Sequence, residues 1–237
     1  MALNLVRNID DRIPVRHVLI SVSDKTGLGT FVPALVRQAP GVVLYSTGGT
    51  YAAIRELLGE SLARQHLVSV ADYTGQPEMQ GGLVKTLDFK IYLGLLSETY
   101  NDAHQADLRR TGAVAIDMVV VNLYPFRQTV ARPGITPEEA RTNIDIGGPC
   151  MVRAAAKNYL RVASVTDPAD YGALTAELAA HQGSLGLETR FNLMRKAFRH
   201  TADYDAAIAA HFASVAPAQA RGVYAFPSCA APDAAGV

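Results

Sequence analysis

The stretch HVLISVSDKTGLGTFVPALVRQ, residues 17–38, decides the fold class of this chain. It opens with an apolar, β-branched run, VLISV at 18–22, and the segment 28–38 beyond the polar turn has a helical pattern. The run shows little alternation of polar and apolar residues, which is typical of a parallel strand covered on both faces. A strand, a polar turn and a helix in this order predict one unit of an α/β sheet.

The same pattern recurs along the chain. Three further apolar runs are predicted as strands: VVLY at 42–45, MVVVNLY at 118–124 and RVASV at 161–165. Helical segments are predicted at 50–58, 103–111, 137–143 and 150–158. This alternation predicts an α/β fold with a doubly wound parallel sheet and helices on both faces, followed after residue 167 by a mostly helical C-terminal segment. Ligands of such sheets bind beyond the carboxyl ends of the strands, so the loops there form the candidate site.

Bulk composition narrows the class of protein. A chain of 237 residues, 49% of them apolar, is expected to form one globular domain over 1–237, with a core at about 17–215 and a tail at 216–237. A net charge of zero argues against a general nucleic-acid binder, and two cysteines make neither a disulfide framework nor a zinc site. The six histidines lack metal-ligand spacing, so no metal is expected. Neither a signal-peptide apolar region nor a membrane-spanning window occurs, so we expect a cytoplasmic protein without a membrane partner.

The Ser-Thr-Gly-Gly-Thr turn at 46–50 is the first candidate for ligand binding. It lies between a predicted strand and a predicted helix. Glycines let the backbone approach an anion, and a helix N-terminus presents free N–H groups with a favourable dipole, so a phosphate is the expected ligand. The alternative is a turn that only caps its helix.

Two lysines lie close to other predicted strand ends or turns. Ser23, Asp24 and Lys25 follow the first strand, and Lys85 precedes Thr86 in the VKT motif. Two lysines could supply a phosphate with positive charge from two sides. Capping by the Ser and Asp side chains, with solvated lysines, is the alternative.

Asn122 and Tyr124 end the most apolar strand, in the motif NLYPF. An asparagine side chain carries two donors and an acceptor and could bind the edge of a heterocycle. A tyrosine at this position is more often a packing residue than a catalytic one.

The motif NIDIGGPCMVRAAAKN at 143–158 is the most unusual part of the chain. Gly147 and Gly148 open a predicted helix, and Asp145 stands just before them. Lys157 lies on the same alanine-rich helix, where a partly buried lysine either pairs with a carboxylate or has its pKa lowered enough to move protons. A lysine that only interacts with the C-terminal helix dipole is the alternative.

Taken in order, these motifs resemble a known family over residues 17–226. The motifs SVSDKTGL, STGGT, DYTGQPEM, VKTL, DMVVVNLYPF, NIDIGGP, MVRAAAKN and KAFRHTADYDAAIA resemble the IMP cyclohydrolase domain of the bifunctional purine-biosynthesis enzymes. The resemblance implies a methylglyoxal-synthase-like α/β fold. It also implies ring closure of the 5-formamido ribonucleotide FAICAR to IMP, with no metal and no organic cofactor. The last motif, FP at 226–227, is followed by ten residues, so we expect a stand-alone cyclohydrolase module or a fragment without a transformylase domain.

The resemblance also assigns roles to individual residues. Those implied to meet the phosphate and ribose are Ser23, Asp24, Lys25, Thr47, Gly48, Gly49, Thr50, Lys85 and Thr86. Those implied to meet the base are Asn122, Asp145 and Ile146. Lys157 matches the proton-transfer lysine, and Asp145, Tyr124 and Lys85 match the other catalytic groups. The purine nucleotides FAICAR and IMP are the implied small-molecule partners. A homodimer and a separate formylating enzyme stay open as protein partners.

One segment departs from the family. Its members read approximately GRVKTLHPK(I/V)H(G/A)G, whereas this chain reads GGLVKTLDFKIYLG at 81–94. Leu83 replaces an arginine, Asp88 and Tyr92 replace two histidines, Phe89 replaces a proline, and Glu98-Thr99 replaces a basic pair. A lost guanidinium contact would weaken substrate binding by about 1.5–3 kcal/mol.

Two other readings stay open. One is a nucleotide-sensing module like the regulatory domain of carbamoyl-phosphate synthetase, or a cyclohydrolase that has lost activity. The other is methylglyoxal synthase, which shares the phosphate turn but gives no reason for NIDIGGP or AAAKN. Because Tyr124, Asp145 and Lys157 are all present, the sequence favours the cyclohydrolase.

Overall fold

A five-stranded parallel sheet is the centre of the fold. The computed structural model describes residues 5–76 and 86–226, and the sheet has the order β4-β3-β2-β5-β6. Two further short strands, β1 and β7, pair antiparallel in a sheet of their own. The strands are β1 Arg12–Pro14, β2 His17–Val22, β3 Val43–Ser46, β4 Leu67–Ser69, β5 Met118–Asn122, β6 Ala163–Val165 and β7 Ser184–Gly186.

Eleven α-helices and one short 3-10 helix, Pro168–Asp170, are present in the described residues. The α-helices are α1 Leu28–Gln38, α2 Gly48–His66, α3 Val70–Thr74, α4 Phe89–Leu96, α5 Asp102–Thr111, α6 Phe126–Val130, α7 Pro137–Thr142, α8 Gly147–Lys157, α9 Tyr171–Ala180, α10 Leu187–Ala213 and α11 Pro217–Gly222.

Helices cover both faces of the sheet. On one face Val18, Ile20 and Val120 pack in a common core with α1 and α9. The intervening Leu19 and Val119 point to the opposite face and are fully buried as well. On that face lies α8, whose Val152 carbonyl accepts a hydrogen bond from the Ser164 hydroxyl of β6, and α4 packs beside α8. Burial on both sides explains why the strands read as continuous apolar runs.

The structure confirms the predicted α/β class, the parallel strands and the helical character after residue 167. The second helix, predicted at 50–58, is present as the first part of α2, which begins two residues earlier at Gly48. Gly59, with φ 69° and ψ 167°, is not helical, so α2 consists of two helical parts joined at a kink. The prediction also missed β4 and α4. Strand β4 has three residues, too few for a period.

The buried side chain of Arg190 connects the N-terminal segment to the part of the fold that surrounds the five-stranded sheet. The guanidinium of Arg190, 1% exposed, donates to the backbone carbonyls of Asp10, Asp11, Tyr159, Leu160 and Leu185. Burial lowers the pKa of Arg190, and nearby carboxylates oppose that shift. Five carbonyls thus satisfy all five N–H donors of one side chain.

The chain divides into two compact units. One comprises Met1–Tyr124 and Asp145–Asp203 and contains the five-stranded sheet, and the other comprises Pro125–Ile144 and Tyr204–Val237. The second unit has an aromatic cluster of its own, in which Phe126 contacts Tyr204, His211 and Phe212. The expectation of one domain over 1–237 stays a prediction. Every helix in residues 5–76 and 86–226 is too short or too polar to cross a lipid bilayer.

Candidate active site

The carboxyl ends of three neighbouring strands bring the predicted loops together. In the parallel register Ile20 of β2 lies beside Ser46 of β3, and Val22 of β2 lies beside Asn122 of β5. The loops that follow therefore share one edge of the sheet, as expected for a ligand site of this class. The candidate residues in these loops, up to Tyr124, and Asp145 belong to the first compact unit.

Asn122 holds the loop that follows β2. Its Oδ1 accepts the N–H groups of Ser23 at 2.7 Å and Asp24 at 2.9 Å, and its Nδ2 donates to the Asp24 carbonyl at 2.7 Å. Three bonds use most of the capacity of the amide, so one N–H remains for a ligand. Asn122 thus serves mainly to fix Ser23 and Asp24, a role that the sequence analysis did not foresee.

Asp24 shapes the turn that presents Lys25. Its Oδ1 accepts the Thr26 hydroxyl at 2.7 Å and the Thr26 N–H at 2.9 Å. These two bonds with Thr26, the hydroxyl first, lower the pKa of Asp24. The carboxylate therefore stays ionised near neutral pH, and its bound oxygen faces the turn.

The N-terminus of α2 is suited to an anion. Thr47 precedes the helix in extended conformation without a capping side-chain bond, and Gly48 has a φ of 49°. The first-turn N–H groups of a helix have no partner within it. A Cβ built on Gly49 would lie 4.0 Å from the Lys25 ammonium, so a positive charge adjoins these groups. Thr50 has another function, because its buried hydroxyl donates to the Val22 carbonyl and accepts the Val22 N–H.

Asp145 lies at the N-terminus of α8. Its Oδ1 accepts the Gly148 N–H at 2.8 Å, and the carboxylate also accepts the N–H of Tyr124. Burial raises the pKa of Asp145, and these two hydrogen bonds oppose that shift. A carboxyl group with a raised pKa beside a helix N-terminus is a candidate for proton exchange with a bound ligand.

The two glycines of α8 allow close approach on both sides. A Cβ on Gly148 would lie 2.5 Å from Asp145 Oδ2 and 2.7 Å from Leu123 Cδ2. A Cβ on Gly147 would lie 2.5 Å from the hydroxyl oxygen of Thr86, which is itself buried. Thr86 therefore belongs to this site, whereas Lys85 lies outside the described residues.

Two large side chains next to Asp145 in the sequence are exposed to solvent. Tyr124 is 51% exposed and Ile146 is 59% exposed. Both are thus accessible to a bound ligand, and their predicted roles stay predictions. For Tyr124 this exposure disfavours the alternative of a packing residue.

Lys157 lies apart from the other predicted residues. It is exposed, not partly buried as expected, and it is the last residue of α8. Ten residues at 1.5 Å each separate it from Gly147 by roughly 15 Å along the helix. Because α8 runs antiparallel to the strands, Lys157 lies near the amino ends of β5 and β6. One chain alone does not bring Lys157 to Asp145.

The segment that departs from the family has a local structural role. Asp88 caps α4 by accepting the Lys90 N–H at 2.8 Å, and the Lys90 ammonium donates to the Tyr73 carbonyl. The Tyr92 hydroxyl is buried, and burial beside Cys150 raises the pKa of Tyr92. Phe89 is 62% exposed. Leu83 lies outside the described residues, so its predicted effect on affinity stays a prediction.

The sequence analysis missed the support of the first loop. Gly27 has a φ of 76°, and a Cβ there would lie 3.0 Å from the ring of Tyr171. The ring of Tyr171 stacks on the ring of Phe31 in α1 and so supports the loop that contains Gly27. The glycine directly after SDKT was the available signal, since a positive φ strongly favours glycine.

Comparison with known proteins identifies related families. The family model of the MGS-like domain matches residues 30–150, about half of the chain, and that of the AICARFT/IMPCHase bienzyme matches residues 155–230. The bifunctional purine biosynthesis protein PurH of Neisseria meningitidis is 50% identical over 201 residues, which are 85% of this chain and 37% of that protein. The chain thus spans little more than a third of that relative.

A solved structure supports the same assignment. The crystal structure of ForH is 32% identical, has a TM-score of 0.72, and is matched over 84% of this chain and 97% of that one. The chain belongs to the family of MGS-like domains, and its C-terminal part matches the family model of the AICARFT/IMPCHase bienzyme.

Proposed function

We propose that this chain is an IMP cyclohydrolase, which closes the ring of FAICAR with loss of water to give IMP. The observation that carries the proposal is the Asp145 carboxyl group. It has a raised pKa, lies at a helix N-terminus and shares a sheet edge with Lys25 and the turn at 46–50. The likeness to PurH and to the AICARFT/IMPCHase family supports a role in purine biosynthesis.

The phosphate of the nucleotide would bind at the N-terminus of α2. First-turn N–H groups and the helix dipole favour an anion there. The Lys25 ammonium lies beside Gly49 and would add a charge-assisted hydrogen bond. Lys85, one residue before Thr86, is the second cation proposed for this group.

The reaction itself needs orientation, one oxyanion site and proton transfer. The carboxamide nitrogen attacks the formyl carbon, a C–N bond forms, and the formyl oxygen takes up negative charge. Asp145 would accept the proton that the nitrogen loses, and the N–H of Gly147, in the first turn of α8, would donate to the oxyanion. The oxyanion takes up a proton, and the resulting hydroxyl leaves as water when the C–O bond breaks, while the former formamide nitrogen loses its proton and a C=N bond forms. Each such group is expected to contribute about 2–4 kcal/mol to lowering the barrier.

Lys157 would act from a second copy of the chain. Within one chain roughly 15 Å of helix separates it from the Asp145 end of α8. It is exposed and has no hydrogen bond or ion pair in the part of the chain that the structure describes. A homodimer that brings the far end of one α8 to the Asp145 end of the other would complete the site.

Turnover of FAICAR by the purified chain, followed through the absorbance of IMP, tests the proposal. Asp145→Asn should lower kcat roughly 10²–10³-fold. Tight binding of IMP without turnover would overturn the enzymatic reading and favour a nucleotide-sensing module instead.

Mixing two inactive variants tests the shared site. Asp145→Asn and Lys157→Ala chains each lack one group, but a mixed dimer contains one intact pair. Random exchange should therefore restore about a quarter of the wild-type activity, since half of the dimers are mixed and half of their sites are complete. Recovery no greater than the sum of the two separate variants would show that Lys157 does not act across chains.

A further inference from the structure

Helices α8 and α10 lie side by side and run in opposite directions. The guanidinium of Arg153 on α8 lies 5.6 Å from the centre of the Phe198 ring on α10. Just beyond the end of α8, the ring of Tyr159 has its centre 5.3 Å from that of Phe191. Between these two contacts the residue numbers rise along α8 and fall along α10, so the helices are antiparallel. A surface groove therefore runs between them, with the Tyr159–Phe191 pair at one end.

Four positively charged side chains line this groove. Arg153 and Lys157 are one turn apart on α8, and Arg195 and Arg199 are one turn apart on α10. Counted from the contact of Arg153 with Phe198 at 1.5 Å per residue, Arg199 lies level with Arg153, and Arg195 lies within one turn of the level of Lys157. Because the axes of packed helices are about 8–10 Å apart, the four charges share a small region of surface.

No carboxylate balances these charges in the part of the chain that the structure describes. All four side chains are exposed, and none makes an ion pair or a hydrogen bond there. Exposed cations are often only solvated, yet the neighbouring Lys196, on the other side of α10, pairs with Asp170 at 2.6 Å. Since the whole chain has 22 basic and 22 acidic residues, the excess of positive charge is local to the groove.

Contact with Phe198 orients the guanidinium of Arg153. A guanidinium above an aromatic ring has its N–H groups at its edge, where they stay free to donate hydrogen bonds. This planar fork of donors matches the oxygens of a phosphate group, and less conformational freedom is lost when the ligand binds. The groove therefore contains one oriented arginine and, facing it, two mobile ones.

An exposed aromatic ring continues the groove beyond the charges. Phe191 is 40% exposed and lies one turn before Arg195, about 12 Å along α10 from Arg199. Exposed aromatic rings stack with nucleobases. Glu188 and Asp203 place carboxylates beyond the two ends of this row, which disfavours a long polyanion such as RNA. The row is therefore suited to a short chain of phosphates with one base attached.

We propose that the groove between α8 and α10 binds a nucleoside triphosphate, whose phosphates contact Arg153, Arg195 and Arg199 and whose base stacks on Phe191. Charge-assisted hydrogen bonds from three guanidinium groups match a chain of three phosphates. Lys157 adds positive charge but is not required as a contact. The groove is separate from the turn at 46–50, and the proposal does not depend on the cyclohydrolase function.

Titration calorimetry of the full chain with ATP, at low salt and without divalent cations, tests the proposal. It should show saturable binding of one ATP per chain. The double variant Arg195→Gln, Arg199→Gln should weaken this binding about a hundredfold, because each change removes one charge-assisted contact and costs about a factor of ten. Phe191→Ala should weaken the binding of ATP but not that of inorganic tripolyphosphate, which has no base. Adenosine, which has no phosphate, should not bind.

Two control variants distinguish this groove from other anion sites. Lys25→Gln alters the proposed site of the substrate phosphate, and Arg37→Gln removes an exposed arginine of α1 outside the groove, so both should bind ATP as wild type does. Thermal melts establish that each variant is folded. If the double variant fails to fold, Arg153→Gln decides, with an expected weakening of about tenfold.

Four results would overturn the proposal. They are the absence of saturable binding at millimolar ATP, equal binding by the arginine variants of the groove and wild type, a loss in Lys25→Gln or Arg37→Gln as large as in the groove variants, and equal affinity for ATP and tripolyphosphate.

Discussion

Replacing Gly148 by alanine tests the close approach between α8 and Asp145. The new Cβ would lie 2.5 Å from Asp145 Oδ2 and 2.7 Å from Leu123 Cδ2, whereas ordinary contacts begin at 3.4 Å. The carboxylate would have to move by about 0.9 Å to reach that distance, unless α8 itself moves. The substitution therefore acts on the position of the proposed base and on the packing beneath it.

The size of both effects follows from these distances. Overpacking of this kind costs about 1–3 kcal/mol of the free energy of unfolding. A displacement of about 1 Å at a reacting group costs roughly a hundredfold in rate. We thus expect kcat/KM for FAICAR to fall about a hundredfold while the chain stays folded.

Urea denaturation and FAICAR turnover measure the two effects separately. Gly172→Ala on α9 is the control, since a Cβ there meets nothing within 4 Å and should leave activity unchanged and stability equal or higher. The double variant Leu123→Ala, Gly148→Ala should recover part of the stability but not the position of Asp145. If Gly148→Ala were as stable and as active as wild type, the close approach that we describe would be refuted.

Three further perturbations test other parts of the structure. Arg190→Met leaves five buried carbonyls without their donor and should lower the free energy of unfolding, measured by urea denaturation, by about 3–5 kcal/mol. A decrease of less than about 1 kcal/mol would contradict its anchoring role. Thr50→Val removes both hydrogen bonds to Val22 and should lower the free energy of unfolding by about 1–3 kcal/mol. Thr30→Val, on the exposed face of α1, is the control and should change the free energy of unfolding little. Because the folded chain raises the pKa of Asp145, its native state binds the proton more tightly than the unfolded state. The free energy of unfolding of wild type, relative to that of Asp145→Asn, should therefore fall as pH rises from 3.8, the ordinary pKa of an aspartate, through the pKa of Asp145 in the folded chain. If the free energies of unfolding of the two proteins changed in parallel with pH, this prediction would be wrong.

Much of the fold followed from local pattern alone. The four predicted strands are all present, because continuous apolar runs between polar turns have few other structures available. Strand β4 and helix α4 were missed for a physical reason. Three residues carry no period, and α4 contains Gly94, whose Cα packs against the Val114 carbonyl more closely than a Cβ would permit.

The sequence indicated which residues lie at the candidate site, but it did not indicate which hydrogen bonds each of them makes. Loops at strand ends pointed to Lys25, to the turn at 46–50 and to Asp145, since parallel strands place these ends together. The amide of Asn122 and the hydroxyl of Thr50 were expected to contact a ligand, yet they bind neighbouring backbone. A side chain's hydrogen-bond partners depend on which strands are adjacent, and sequence order does not give that adjacency.

The sequence by itself determined the α/β class, the glycine-containing turn at 46–50 that opens a helix, and the presence of a carboxylate before a glycine-rich helix. These are properties of short segments, fixed by apolar pattern, backbone freedom and helix polarity. Only the tertiary structure decided that Asp145 and Lys157 lie at opposite ends of one helix. It also decided that a cavity forms beyond the ends of α4 and α8, lined by residues 5–10, 98–101 and Asn158 among others. Both follow from the direction of α8 against the parallel strands, which arises from packing and not from any single segment.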